Sequence, residues 1–137
     1  IQALIAARQR GVRIRVLVPG KHIDSQAVRL ASKASWGELL EAGVEIHEYM
    51  PTMLHVKLLV VDHELVSVGS TNFDIRSFQL NDEASLNIYN SKFAARMTAV
   101  FEADLLQAKS YTHDMWKQRP FAEKFAEKIV LPIRSQL

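Results

Sequence analysis

One short run holds the residue types that phosphoryl chemistry needs: His55-Val56-Lys57, then Asp62 after four intervening residues, then Gly69-Ser70-Thr71-Asn72 after six more. In an extended strand, side chains alternate between faces, so His55 and Lys57 share one face. If His63-Glu64 is a two-residue turn, antiparallel pairing sets Asp62 opposite Leu65, Lys57 opposite Ser70 and His55 opposite Asn72. An imidazole, an ammonium, a hydroxyl and a carboxamide then meet on one patch. A phosphodiester needs such a set, one nucleophile with donors for the nonbridging oxygens. A three-residue turn shifts the pairing by one. Asp62 has the opposite parity and fits either a turn role or a direct catalytic one. Glu83, on the polar side of a third strand with Ser85 and Asn87, is the better carboxylate for the second ring nitrogen of His55. Accepting that N–H fixes the tautomer and strengthens the nucleophile.

The elements that must position these residues are legible from periodicity. Ile1 to Arg10 reads as a helix stopped by Gly11. Val12 to Val18 alternates as a strand closed by Pro19-Gly20. Asp24 or Ser25 caps a helix to about Lys33, Ser35 to Ala42 forms a second helix, and Val44 to Tyr49 is a strand. Leu54–Val61 and Leu65–Val68 form a hairpin, and Asp82–Tyr89 is a third strand. Ser91 caps a long helix with Phe93, Met97, Val100, Phe101 and Leu105 on one face. Phe121, Phe125 and Ile129 mark a last amphipathic helix. These elements predict an α/β fold, one lobe with a mixed β-sheet flanked by helices.

The pattern H-x-K-x(4)-D-x(6)-G-S-x-N resembles the signature of the phospholipase D superfamily, and every fixed position is filled. Within it, Leu39 to Ile46, Arg76-Ser77-Phe78 with Leu80-Asn81, and Trp116 to Pro120 are similar to bacterial cardiolipin synthases. The resemblance implies a two-step phosphatidyl transfer through a phosphohistidine on His55. Lys57 and Asn72 hold the phosphoryl oxygens, Ser70 supports them, and Glu83 orients the histidine. It implies phospholipid substrates such as phosphatidylglycerol, no cofactor, and a peripheral or anchored place at the bacterial cytoplasmic membrane. The superfamily uses two such motifs, the second histidine serving as general acid, and this chain holds one. The other then lies in an N-terminal lobe upstream of Ile1, where the chain begins inside a helix, or in a homodimer mate. A hydrolytic phospholipase D and a single-motif homodimeric nuclease are the rival enzymes, and an inactive scaffold is the non-enzymatic rival.

Composition narrows these choices. The 137 residues are 48% hydrophobic and 23% charged, as in an ordinary globular lobe. A net charge of +2 lacks the basic clusters of a nucleic-acid groove. The absence of cysteine removes disulfides, thiolate zinc sites and cysteine nucleophiles, and fits a reducing compartment. His22, His47, His63 and His113 show no metal-ligand spacing and read as surface or packing residues. Arg76 is open between substrate phosphate and an ion pair. Phe93, Phe101 and the Phe121, Phe125 pair are assigned to the core. Lys117, Arg119, Lys124, Lys128 and Arg134 give the tail a basic pattern that fits docking on the lobe, with lipid-surface contact as the alternative.

Overall fold

The computed structural model describes residues 1–23, 26–71, 82–121 and 123–125. The expected caps Asp24 and Ser25, the 76–81 stretch and Ile129 lie outside the described residues. The chain divides into two compact units, Ile1–Leu54 with Ala108–Leu137, and His55–Gln107. The α/β expectation holds, with one difference: the described strands form two three-stranded sheets.

In the first unit, α1 (Gln2–Gln9), β1 (Arg15–Pro19), α2 (Gln26–Glu41), β2 (Glu45–Tyr49), β6 (Ala108–Tyr111) and α4 (His113–Lys117) surround one core. β1 and β2 pair in parallel, Arg15 beside Glu45 and Pro19 beside Tyr49, and β6 runs antiparallel to β2. Parallel strands need a crossover, and α2 supplies it. Its apolar residues Trp36 and Leu39 meet Val44, Ile46 and Tyr111 in the buried cluster. α2 is a single helix where the sequence suggests two. No glycine or proline separates Lys33 from Ser35, and nothing in that stretch breaks the backbone ladder. Gly37 tolerates its helical position because the Trp116 ring rests on it; a Cβ there would come within 2.5 Å of that ring. The Trp116 indole N–H donates to the Lys33 carbonyl at 2.8 Å, which ties α4 to α2.

In the second unit, β3 (Lys57–Val61), β4 (Leu65–Gly69) and β5 (Ser85–Tyr89) form an antiparallel meander, followed by α3 (Ser91–Leu105). Val66 on β4 and Ala94 on α3 are fully buried, so the helix covers the face of the sheet opposite to Lys57. The cap of α3 is Asn90, one residue before the expected Ser91; its carboxamide oxygen accepts from the Phe93 N–H at 2.9 Å. Either residue type caps well, and the one with the extended backbone takes the role. β6 and α4 were not anticipated. β6 is four residues long with exposed Lys109 and Ser110, too short to show a period.

The aromatic tail departs most from expectation. Phe121 and Phe125 are 81% and 58% exposed, so they form no part of the core.

Candidate active site

His55, Lys57, Ser70 and Glu83 all belong to the second unit. The turn that joins β3 to β4 decides what faces what. Asp62 and His63 both have left-handed backbone, φ 50° and 57°. The Glu64 N–H donates to the Val61 carbonyl at 3.0 Å, and Val61 pairs with Leu65. The two-residue turn is therefore Asp62-His63, and Glu64 is an additional residue on the β4 side. Asp tolerates the left-handed region better than most residues. The His63 ring, 3.3 Å from the Thr98 hydroxyl, anchors the turn to α3.

Three residues, Asp62 to Glu64, thus separate the paired Val61 and Leu65, and the register is the one a three-residue turn gives, one residue away from the two-residue pairing. Lys57 pairs with Gly69, and Gly69 with Ser85. Ser70 is not opposite Lys57. Its N–H donates to the Ala84 carbonyl at 2.9 Å, and its hydroxyl accepts from the Ala84 N–H at 3.1 Å. Continuing both registers by two residues gives the row His55, Thr71, Glu83. Thr71 thus takes the place expected of Asn72, which lies outside the described residues. Sequence reading gives Thr71 no role and places Ser85 only beside Glu83 on the polar side of its strand; the two hydroxyls bond each other at 2.8 Å. A correct turn assignment was the one signal that points to them.

Gly69 is fixed by close approach. A Cβ there would sit 2.1 Å from the Ala84 carbonyl oxygen and 2.7 Å from the Ser85 Cα. Both are backbone atoms, so Gly69→Ala must push β5 away from β4. We expect it to destabilise the chain by about 1–3 kcal/mol. A urea midpoint unchanged from wild type would contradict this.

The His55 side chain is exposed just before β3, and Lys57 at its first position is half-buried. The Lys57 ammonium donates to the His55 backbone carbonyl at 3.3 Å. The His55 ring itself makes no hydrogen bond or ion pair with another described residue. Glu83 is half-buried immediately before β5. With neighbouring strands roughly 4.8 Å apart, His55 and Glu83 face each other across Thr71 at about 10 Å between backbones. Asp62 sits five residues beyond Lys57, about 17 Å along the strand at 3.3 Å per residue. It closes the far end of the hairpin. Among the described residues no three His, Cys, Asp or Glu side chains gather as a metal site.

Residues 1–105 match the family model described as cardiolipin synthase, PLD-like domain. A cardiolipin synthase of Geobacillus sp. strain WCH70 is 38% identical over 129 residues, covering 94% of this chain and 26% of that protein. Cardiolipin synthase 1 of Staphylococcus epidermidis ATCC 12228 is 37% identical over 136 residues, 97% of this chain and 28% of that one. Among solved structures, the phospholipase D family member Nuc from Salmonella typhimurium superposes with a TM-score of 0.72 at 25% identity, covering 81% of this chain and 72% of that one. The chain spans about a quarter of the length of the curated relatives it matches.

Proposed function

The chain belongs to the cardiolipin synthase, PLD-like domain family, and on that premise we propose that it is one catalytic lobe of a phosphatidyltransferase with His55 as nucleophile. The complete H-x-K-x(4)-D-x(6)-G-S-x-N run, with His55 and Lys57 side by side at an accessible strand end, carries this reading. An imidazole nitrogen of His55 attacks the phosphorus of a phosphatidylglycerol. The phosphorus–oxygen bond to the headgroup glycerol breaks, and glycerol departs with a proton from a general acid. The headgroup hydroxyl of a second phosphatidylglycerol then attacks the phosphatidyl-histidine, gives up its proton, and restores His55 with release of cardiolipin. Lys57 and Asn72 hold the nonbridging oxygens as negative charge concentrates there. Ser70 supports the phosphate pocket by locking the β4–β5 edge beneath it. Asp62 serves the hairpin turn. The general acid is the histidine of a second motif, from another lobe or a second copy.

The test is incubation of the assembled enzyme with phosphatidylglycerol vesicles. Cardiolipin and glycerol in equal amounts are expected. Phosphatidic acid as the only lipid product would identify a hydrolase instead, since water resolves the same intermediate.

Glu83 is proposed to orient His55. It shares the row and the polar face with His55, and catalytic hydrogen bonds often close only when substrate binds. A carboxylate accepting one ring N–H leaves the other nitrogen free for phosphorus and stabilises the charge growing on the ring. A comparable tautomer loss in a Ser-His-Asp triad costs about 10⁴ in kcat. Here the histidine attacks directly, so Glu83→Gln is expected to lower kcat by roughly 10²–10³. Steady-state rates within about threefold of wild type would reduce Glu83 to an ordinary strand-edge carboxylate.

One observation favours a second arrangement of the same chemistry. This chain covers 72% of the Nuc chain, so a lobe of this size occurs as a chain of its own. Two copies of a one-motif chain then supply both histidines.

A further inference from the structure

Phe121 and Phe125 stack on each other, ring centroids 6.4 Å apart and planes 20° from parallel, while remaining 81% and 58% exposed. Among the described residues the two stacked phenylalanines form an exposed apolar patch, which an apolar partner surface would cover favourably. The acid between them is turned away: the Glu123 carboxylate reaches 3.5 Å from the nearly buried Lys33 ammonium. Of the described basic residues near the pair, Arg119 lies over the Trp116 ring, 3.9 Å from its centroid. Lys117 is exposed, and Lys124 folds its ammonium onto the Lys117 carbonyl at 2.8 Å.

Charge along the chain sharpens the contrast. Residues 116–137 carry five Lys or Arg (117, 119, 124, 128, 134) against two Glu (123, 127), a net +3, while the whole chain is +2. All of the excess positive charge therefore lies in this last segment, and the other 115 residues sum to −1.

We propose that the exposed Phe121–Phe125 pair and Lys117 form a contact surface for an anionic phospholipid interface. The rings enter the headgroup boundary while Lys117 meets lipid phosphates. The choice of lipid as partner rests on the phosphatidyl-transfer reading of the active site. The contact itself uses none of the active-site residues.

The test is co-sedimentation of the 137-residue chain with vesicles of phosphatidylcholine alone or mixed with phosphatidylglycerol. Wild type should bind the anionic vesicles, more weakly as salt rises. Phe121→Ser with Phe125→Ser should weaken binding at least about tenfold, and Lys117→Glu should reduce the preference for anionic lipid. Both variants remove exposed side chains, so their thermal unfolding should match wild type. Phe121→Trp keeps an aromatic at the site; its emission should shift to the blue and be quenched by brominated acyl chains. Wild-type binding by the double serine variant, or an unquenched Trp at 121, would overturn the proposal. So would a change in self-association with vesicle affinity intact, since the occupant would then be a second copy. His55→Ala should bind vesicles as wild type does. In the assembled enzyme, vesicle binding without transfer would refute only the catalytic reading, and transfer without this binding would refute only the surface.

Discussion

His55→Ala in the assembled enzyme is expected to lower phosphatidyl transfer by at least about 10⁴-fold while leaving the fold unchanged. Three of the other four histidines already have structural work: His47 lies 3.9 Å from Glu45, His63 contacts Thr98, and His113 stacks on Trp116. His22 is exposed in the first unit, away from the motif in sequence. Only His55 combines exposure, the adjacent Lys57 ammonium and the motif spacing. Because its ring makes no hydrogen bond within the described structure, removing it costs the folded state little, within about 0.5 kcal/mol. An alanine variant with turnover within about tenfold of wild type on lipid vesicles, its unfolding midpoint unchanged, would remove His55 from the mechanism.

The second large effect concerns the missing partner. On the proposed mechanism, one half-site supplies a nucleophile and phosphate donors, and the acid for the departing glycerol comes from a second motif. Correctly placed general acid catalysis is worth about 10²–10⁴ in rate. The monomeric 137-residue chain is therefore expected to run that much slower than the assembled enzyme. If a homodimer supplies the second motif, specific activity should rise with protein concentration alongside the dimer fraction. If the motif lies on another lobe, adding that lobe should restore the rate. Full, concentration-independent activity from a monomer verified by light scattering would contradict both arrangements.

How far the sequence reaches depends on the length scale of the signal. The alternation around His55, Lys57 and Ser85 is a period-two pattern, and the strands formed where it runs, within a few residues at each end. The α/β class followed from helices and strands succeeding one another. The register was harder. It turned on whether the loop holds two residues, His63-Glu64, or three, Asp62 to Glu64, and strand periodicity does not resolve a difference of one residue. One residue of slip moved Ser70 onto the Ala84 backbone and brought Thr71 into the row with His55 and Glu83. Phe121 and Phe125 have core-like spacing, but spacing cannot say whether a face finds a partner. The inward turn of Glu123 to Lys33 leaves the rings outside. α2 shows the converse error, in which polar Lys33 and Ser35 suggested a break although both are buried along a continuous helix.

The central claim is that a phosphatidyl group passes through His55. The most direct measurement is rapid acid-free quenching of the assembled enzyme with phosphatidylglycerol, followed by digestion and mass spectrometry of the peptide that contains His55. The account predicts a phosphatidyl adduct on the His55 imidazole, its phosphorus–nitrogen bond kept near neutral pH and lost in mild acid, that decays as cardiolipin appears. An adduct on any other residue, or cardiolipin formed at full rate with no adduct on His55 at any time, would contradict it.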